Sequence, residues 1–173
     1  MKACGRTVVV QAFTSPAVRI AAAARESNLD IAGTLFLVGG EALTDAKRVV
    51  IEAAGCEVYS GYYINEVGPI GAGCRHMRTG NDVHLYTDSV AAIGRRRCAP
   101  LSGVEVDSLA FTTLLECAPR FLINTEMDDA GVIGPARCDC SYSRLGMTIR
   151  ISNVASFGKL TGQGMTLVGT DIL

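Results

Sequence analysis

The sequence predicts an α/β fold, with a parallel or mixed sheet and flanking helices in the first part and a β-rich, barrel-like second part. Three observations carry this expectation. Apolar patterns alternate as strand, helix, strand, helix between Thr7 and Ala54; a further short strand follows at Glu57–Ser60; and beyond Gly68 short apolar runs lie between glycines without helical periodicity. With 173 residues, 49% of them hydrophobic, the chain can bury one sizeable core.

Residues 7–13 form a β-branched run, read as the first strand. Ser15-Pro16 then offers an N-cap and a proline at the first helical position, predicting a helix over 16–28. Leu35-Phe36-Leu37-Val38 is a continuous apolar run bounded by glycines, the pattern of a strand buried on both faces. Residues 44–54 follow with helical periodicity, capped by Thr44 and ended by Gly55, and Glu57-Val58-Tyr59-Ser60 opens the next strand. Such connections demand parallel strands. In the second part, Val83-His84-Leu85-Tyr86 and Ala110–Leu114 read as strands. The organisation expected is 1–68 for the α/β portion, 69–150 for the β-rich portion and 151–173 for a closing segment. Because the chain stops in Val168-Gly169-Thr170-Asp171-Ile172-Leu173, an apolar ending, the natural polypeptide is expected to continue. There is no internal repeat and no low-complexity linker.

The formal net charge of −1 argues against a nucleic-acid partner, which needs an excess of Lys and Arg over its binding face. Arg95-Arg96-Arg97, the one basic run, reads as a solvated turn. No stretch matches the roughly 20 apolar residues of a membrane-spanning helix and no signal peptide opens the chain, so a cytoplasmic location is expected. Seven scattered cysteines are odd in number and do not form a secreted disulfide framework.

Gly39-Gly40-Glu41 follows an apolar strand and precedes a helix, where an open parallel sheet binds ligands at the carboxyl ends of its strands. A tight turn also needs glycine for its own sake. The next strand leads into Gly61-Tyr62-Tyr63-Ile64-Asn65-Glu66, an aromatic, an amide and a carboxylate at the same edge. An ATP site uses these groups, although the two tyrosines could equally be core aromatics.

The pair Val38–Thr44 and Gly61–Glu66 resembles the core of adenylate-forming ligases, in the phenylacetate-CoA ligase-like branch of the AMP-binding superfamily. That family's second signature is an aromatic residue, glycine, a variable residue, Thr or Ser, then Glu. Tyr62 and Glu66 match it, Tyr63 stands at the glycine and Asn65 at the Thr or Ser. Ala118–Asp129 occupies the place of the segment ending in a ribose-binding aspartate, for which Asp128 is the candidate and Asp129 the neighbour. The segment Ser156–Met165 corresponds to the connection into a mobile C-terminal domain, with Lys159 in place of an arginine.

The resemblance implies a fragment of the large N-terminal domain of an ATP-dependent carboxylic acid:CoA ligase. Its substrates would be ATP, a small carboxylic acid and the thiol of CoA or a carrier protein, and a homodimer is allowed. Tyr62 would stack on adenine and the Gly39-Gly40-Glu41 backbone line the base pocket, with Tyr63 beside it. Asn65 would meet the α-phosphate, Glu66 would hold Mg²⁺ and Asp128 would bind the ribose. The phosphate loop and the lysine-bearing C-terminal domain have no counterpart in this sequence, so the chain alone is expected to be inactive.

Cys138-Asp139-Cys140 offers two thiols from one tight loop, and Cys74 with His84 or His76 would complete a tetrahedral zinc set. His84 is preferred because it begins a strand-like run, whereas His76 lies among Arg75, Met77 and Arg78. The resemblance implies a similar Cys-x-Cys pair with an upstream cysteine and histidine. Buried free thiols are the alternative, and Cys4, Cys56, Cys98 and Cys117 read as lone residues. Beside the ligase reading stand two others: a non-catalytic nucleotide-binding or scaffolding module, and a zinc-stabilised structural domain without a ligand.

Overall fold

A computed structural model describes residues 7–77, 79, 81–99 and 103–157, together with the backbone of 159–162 and 165–168. Nine strands form one sheet in the order β1-β2-β3-β4-β5-β9-β8-β7-β6. Its first strands are β1 (Val9–Phe13), β2 (Leu35–Gly39) and β3 (Glu57–Ile64), paired in parallel. The antiparallel remainder comprises β4 (Gly68–Ala72), β5 (Val83–Leu85), β6 (Val90–Cys98), β7 (Glu105–Thr113), β8 (Thr125–Pro135) and β9 (Ile149–Ser156). A separate hairpin joins β10 (Lys159–Gly162) to β11 (Met165–Val168). The closing segment expected at 151–173 lies partly outside the described residues, as do Cys4 and the Lys159 side chain.

Helix α1 (Thr14–Glu26) starts two residues before the expected position, with Phe13 rather than Ser15 at the N-cap and no side chain capping it. The Ser15 hydroxyl is used elsewhere, donating to the Glu41 carboxylate, and Pro16 still lies in the first turn, where no intrahelical N–H partner is lost. Ala17, Ala21 and Ala24 are buried at helical spacing, and two of them, Ala17 and Ala21, pack with Phe36, Val38 and Val58 of the sheet. Asn28, at φ 53, takes the chain out of the helix in the left-handed region. Helix α2 (Asp45–Glu52) is capped as expected by Thr44, whose hydroxyl accepts from the Lys47 amide at 3.4 Å, and it contributes buried Ile51 to the same core. Burying a side chain such as Ile51 stabilises by about 1.5–3 kcal/mol.

Three expectations are corrected here. The apolar run of β2 was expected to be buried on both faces, yet Leu37 is 39% exposed and Val9 and Phe13 beside it 54% and 60%. Helices cover only the face carrying Phe36 and Val38 among the described residues. The third strand runs eight residues to Ile64 instead of ending at Ser60, because it pairs first with β2 and then with β4. Arg95-Arg96-Arg97 is not a turn but the second half of β6, at the edge of the sheet. There Arg96 pairs with Glu105 at 3.3 Å and Arg97 with Glu126, while the Arg97 guanidinium lies 5.8 Å from the Phe157 ring centre. Charge along an edge strand discourages pairing with another chain.

A second core fills the antiparallel part, from Tyr62, Ile70, Val83, Leu85, Val90, Leu109, Phe111 and Ile151. It fixes β5, a three-residue strand held between β4 and β9 with all three residues buried. Gly71 permits that approach, since a Cβ there would sit 2.2 Å from the His84 carbonyl oxygen.

Candidate functional site

Strand β5 carries His84 into the protein with no exposed surface. Its Nδ1 lies 2.7 Å from the Met147 carbonyl oxygen, which assigns the proton to Nδ1 and leaves Nε2 as a free donor for a metal. Three sulfurs surround Nε2: Cys140 Sγ at 3.2 Å, Cys138 Sγ at 3.3 Å and Cys74 Sγ at 3.5 Å. Cys138 Sγ lies 3.6 Å from Cys140 Sγ and 3.9 Å from Cys74 Sγ. A tetrahedral zinc ion with ordinary bond lengths needs edges of about 3.8 Å between sulfurs and about 3.6 Å between sulfur and nitrogen. The measured edges lie within about 0.4 Å of these values, close enough for small side-chain shifts to seat the ion. A disulfide, by contrast, would need a far shorter sulfur separation.

The four ligands come from three local structures. Cys74 follows β4 in a turn closed by the Met77 amide on its carbonyl at 3.0 Å. Cys138 and Cys140 lie between β8 and the short helix α3 (Ser141–Arg144), and the Ser143 hydroxyl lies 3.4 Å from Cys138 Sγ. Burial lowers the His84 pKa, with Arg150 adding to the effect against the Met147 hydrogen bond, so the ring is neutral and ready to ligate. Cys74 is pushed up to about 12, chiefly by burial and then by its thiol neighbours against the His76 backbone hydrogen bond. At Cys140 burial works in the same direction, but hydrogen bonds from the Ser143 backbone, Cys138, Cys74 and the Ser143 hydroxyl outweigh it and lower the pKa. Cys140 thus gives up its proton more readily than Cys74, which must release one to bind a metal. His76, the alternative ligand, instead faces Asp139 at 3.5 Å.

At the other end of the sheet, the glycine turn and the tyrosine segment meet. Phe13 pairs with Gly39 across β1 and β2, and Val38 with Ser60 across β2 and β3. A Cβ on Gly39 would lie 3.0 Å from the Gly61 carbonyl oxygen, so the two stretches share one rim. Gly40 has φ 73, a conformation that favours glycine. Glu41 does not point into a cleft: its side chain is 1% exposed, with Lys47 Nζ at 3.1 Å, and its carbonyl accepts from Thr14 Oγ1 at 2.8 Å.

Because β3 continues past Ser60, strand alternation sorts the two tyrosines. Tyr62, expected to stack on a base, is only 9% exposed and packs edge-on to Phe111 with ring centres 6.0 Å apart. Its hydroxyl donates to Asp129 Oδ2 at 2.7 Å, 67 residues away. Tyr63 faces outward, 52% exposed. Asn65 and Glu66 lie in the exposed turn between β3 and β4. Asp128 is exposed at φ 58, next to buried Asp129 in the irregular stretch of β8.

Sequence reasoning did not find Ser143, the Met147 carbonyl or the Tyr62–Asp129 hydrogen bond, Asp129 having been read only as the residue behind Asp128 for the ribose. The first was legible, three residues after Cys140 and thus within one turn; the other two depend on tertiary pairing alone.

No protein-family profile and no curated protein matches the sequence. Solved structures do match. One is an open conformation of 2-hydroxyisobutyryl-CoA ligase in complex with 2-HIB-AMP and CoA, with a TM-score of 0.66, 18% identity, and coverage of 95% of this chain and 40% of that one. An acyl-CoA synthetase (AMP-forming)/AMP-acid ligase II-like protein from Dyadobacter fermentans has a TM-score of 0.52 at 13% identity, covering 92% of this chain and 39% of its own. Apo MatB from Rhodopseudomonas palustris follows at 0.50 and 15%, covering 95% and 34%. The fold of this chain is thus the mixed α/β fold of AMP-forming acyl-CoA ligases, over about 40% of the length of the first of these structures.

Proposed function

We propose that this chain is a core portion of an ATP-dependent carboxylic acid:CoA ligase of the phenylacetate-CoA ligase-like branch, inactive alone, with a structural zinc and a cytoplasmic location. The observation that carries the reading is the shared rim of Gly39 and Gly61 at the carboxyl ends of parallel strands, where such sheets bind ligands. In the complete enzyme a carboxylate attacks the α-phosphorus of ATP, forming an acyl-adenylate and releasing pyrophosphate. A thiol of CoA or a carrier protein then displaces AMP. The Gly39-Gly40 backbone and the adjoining Glu41 amide line the base pocket, Asn65 meets the α-phosphate and Asp128 the ribose. Glu66 holds Mg²⁺, which offsets charge on the phosphates. The exposure of Asn65, Glu66 and Asp128 suits groups that meet a ligand.

Cys74, His84, Cys138 and Cys140 fit zinc by donor type and by spacing, and a closed four-ligand set has no open position for a substrate. The ion would cross-link the loop after β8 to β4 and β5 and take no part in the chemistry. A scaffolding role without catalysis is the second reading, favoured by a tyrosine at position 63 on the rim.

Isothermal titration of the whole chain with Mg·ATP separates them. The ligase reading expects weak, saturable heat that drops at least about ten-fold in affinity in Glu66→Ala, the loss of one metal-holding carboxylate. Identical heat in the two proteins removes Glu66 from the site, and silence from the wild type favours the scaffold.

A further inference from the structure

The rim of Gly39 and Gly61 leaves space for a flat group, and the chain itself supplies one. A Cβ added to Gly61 would lie 2.4 Å from Tyr63 Cε2 and 3.3 Å from its Cδ2. One added to Gly39 would lie 3.6 Å from Cδ2 of the same ring. The Tyr63 ring is therefore laid back over two adjacent strands, resting on the bare backbone of both glycines. Its pairing partner changes register between Tyr62 and Tyr63, and such an irregularity re-aims a side chain. A second ring does the same at the neighbouring strand, where a Cβ on Gly40 would meet Phe13 Cδ1 at 2.4 Å. Both rings remain largely exposed on their outer faces, Tyr63 at 52% and Phe13 at 60%.

We propose that Tyr63 is a self-occupying plug of the base subsite: its ring lies where the planar base of an adenine nucleotide would rest, and a nucleotide must displace it to bind. This rests on the nucleotide reading above and adds to it the residue that limits affinity. Tyr62 cannot serve in its place, since its ring is fixed in the core by Phe111 and Asp129. Tyr63 is 52% exposed and belongs to neither core cluster, so its ring can swing into solvent without opening the core. If the ring is seated nine times in ten, the apparent dissociation constant is raised about ten-fold over that of the open rim. The effect belongs to the base: a ligand with phosphates but no base gains nothing when the ring is removed.

The test titrates Mg·ATP, and separately Mg·tripolyphosphate, into wild type, Tyr63→Phe, Tyr63→Ala and Tyr63→Gly. Tyr63→Ala and Tyr63→Gly are expected to bind ATP about ten-fold more tightly than wild type, Tyr63→Phe to match it, and tripolyphosphate to show no gain. Tyr63→Ala carries the test if the glycine variant melts early, since it removes the ring and keeps the strand backbone restricted. Equal ATP affinity in all four proteins overturns the plug and leaves the nucleotide site standing. A gain for tripolyphosphate as large as for ATP also overturns it, because the ring would then not cover a base. Absence of ATP binding in every protein brings down the nucleotide reading and the plug together.

Discussion

Changing Cys138 and Cys140 together to serine is expected to abolish zinc binding and to lower the melting temperature by more than about 10 °C. Helix α3 fully buries none of its residues, and apart from the Tyr142 ring against His84 and Tyr86 the loop of 136–148 has little apolar packing to hold it against the sheet. What ties it down is the cluster, in which Cys74 and Cys138 are 64 residues apart in sequence. Structural zinc supplies folding free energy directly, and losing even about 3–5 kcal/mol of it shifts a domain of this size by roughly 10 °C. Metal content by mass spectrometry, beside a calorimetric melt, reads both effects. Cys98→Ser, at an exposed thiol, serves as the control and should change neither. Well-folded protein that carries no metal, with an unchanged melt in the double variant, sinks the site.

The same cluster should be acid-labile. Burial holds the folded-state pKa of His84 below its unfolded value, so its contribution is complete above pH about 6.5 and is lost as pH falls. Protons also compete with the metal for the sulfurs, which acts in the same direction. Metal retention and melting temperature should therefore fall together on going from neutral pH toward pH 5.

The parallel part was legible because its signals are local. Thr44 could be read as a cap and Leu35–Val38 as a strand without knowing what surrounds them. The loop glycines mark turns for the same reason. Where pairing across the sheet decides, local patterns fell short: Tyr62-Tyr63-Ile64 has strand-forming side chains, but how far β3 runs past Gly61 is set by β4 alongside it. Arg95-Arg96-Arg97 misled because charge on an edge strand looks like charge in a turn. The metal cluster lay between these cases. Cys138 and Cys140 are near in sequence, and His84 sits in an apolar run that had to point somewhere. That they meet Cys74 within 4.8 Å is a product of β4, β5 and the loop after β8, not of spacing. Of the two tyrosines read from sequence as ligand contacts, Tyr62 went to the core because strand alternation, once β3 extends to Ile64, leaves it no choice.

That burial makes Tyr62 the second residue whose loss should be costly. Tyr62→Phe deletes only the hydroxyl, and the ring keeps its place against Phe111, so packing is preserved. The Asp129 carboxylate, 8% exposed, then loses the donor 2.7 Å away. A hydrogen bond to a buried charge contributes more than a neutral one, and stranding its acceptor costs about 2–3 kcal/mol, or roughly 4–12 °C in the melt. Asp129→Ala strands the hydroxyl instead and opens a small gap. The double variant should be more stable than the sum of the two losses by at least about 1 kcal/mol, since the bond can be lost only once. Burial, with Asp129 behind it, also raises the Tyr62 pKa above its unfolded value. Its contribution is then complete below pH about 10 and declines as the pH rises beyond that, so wild type should lose stability at alkaline pH more steeply than Tyr62→Phe. Strict additivity in the cycle, with parallel alkaline curves, would show the bond to be idle. A measured coupling would instead identify it as the tie between the third strand, whose end leads to Asn65 and Glu66, and the stretch of β8 that presents Asp128. The two halves of the proposed nucleotide site are then held together by this buried bond in addition to the core they share.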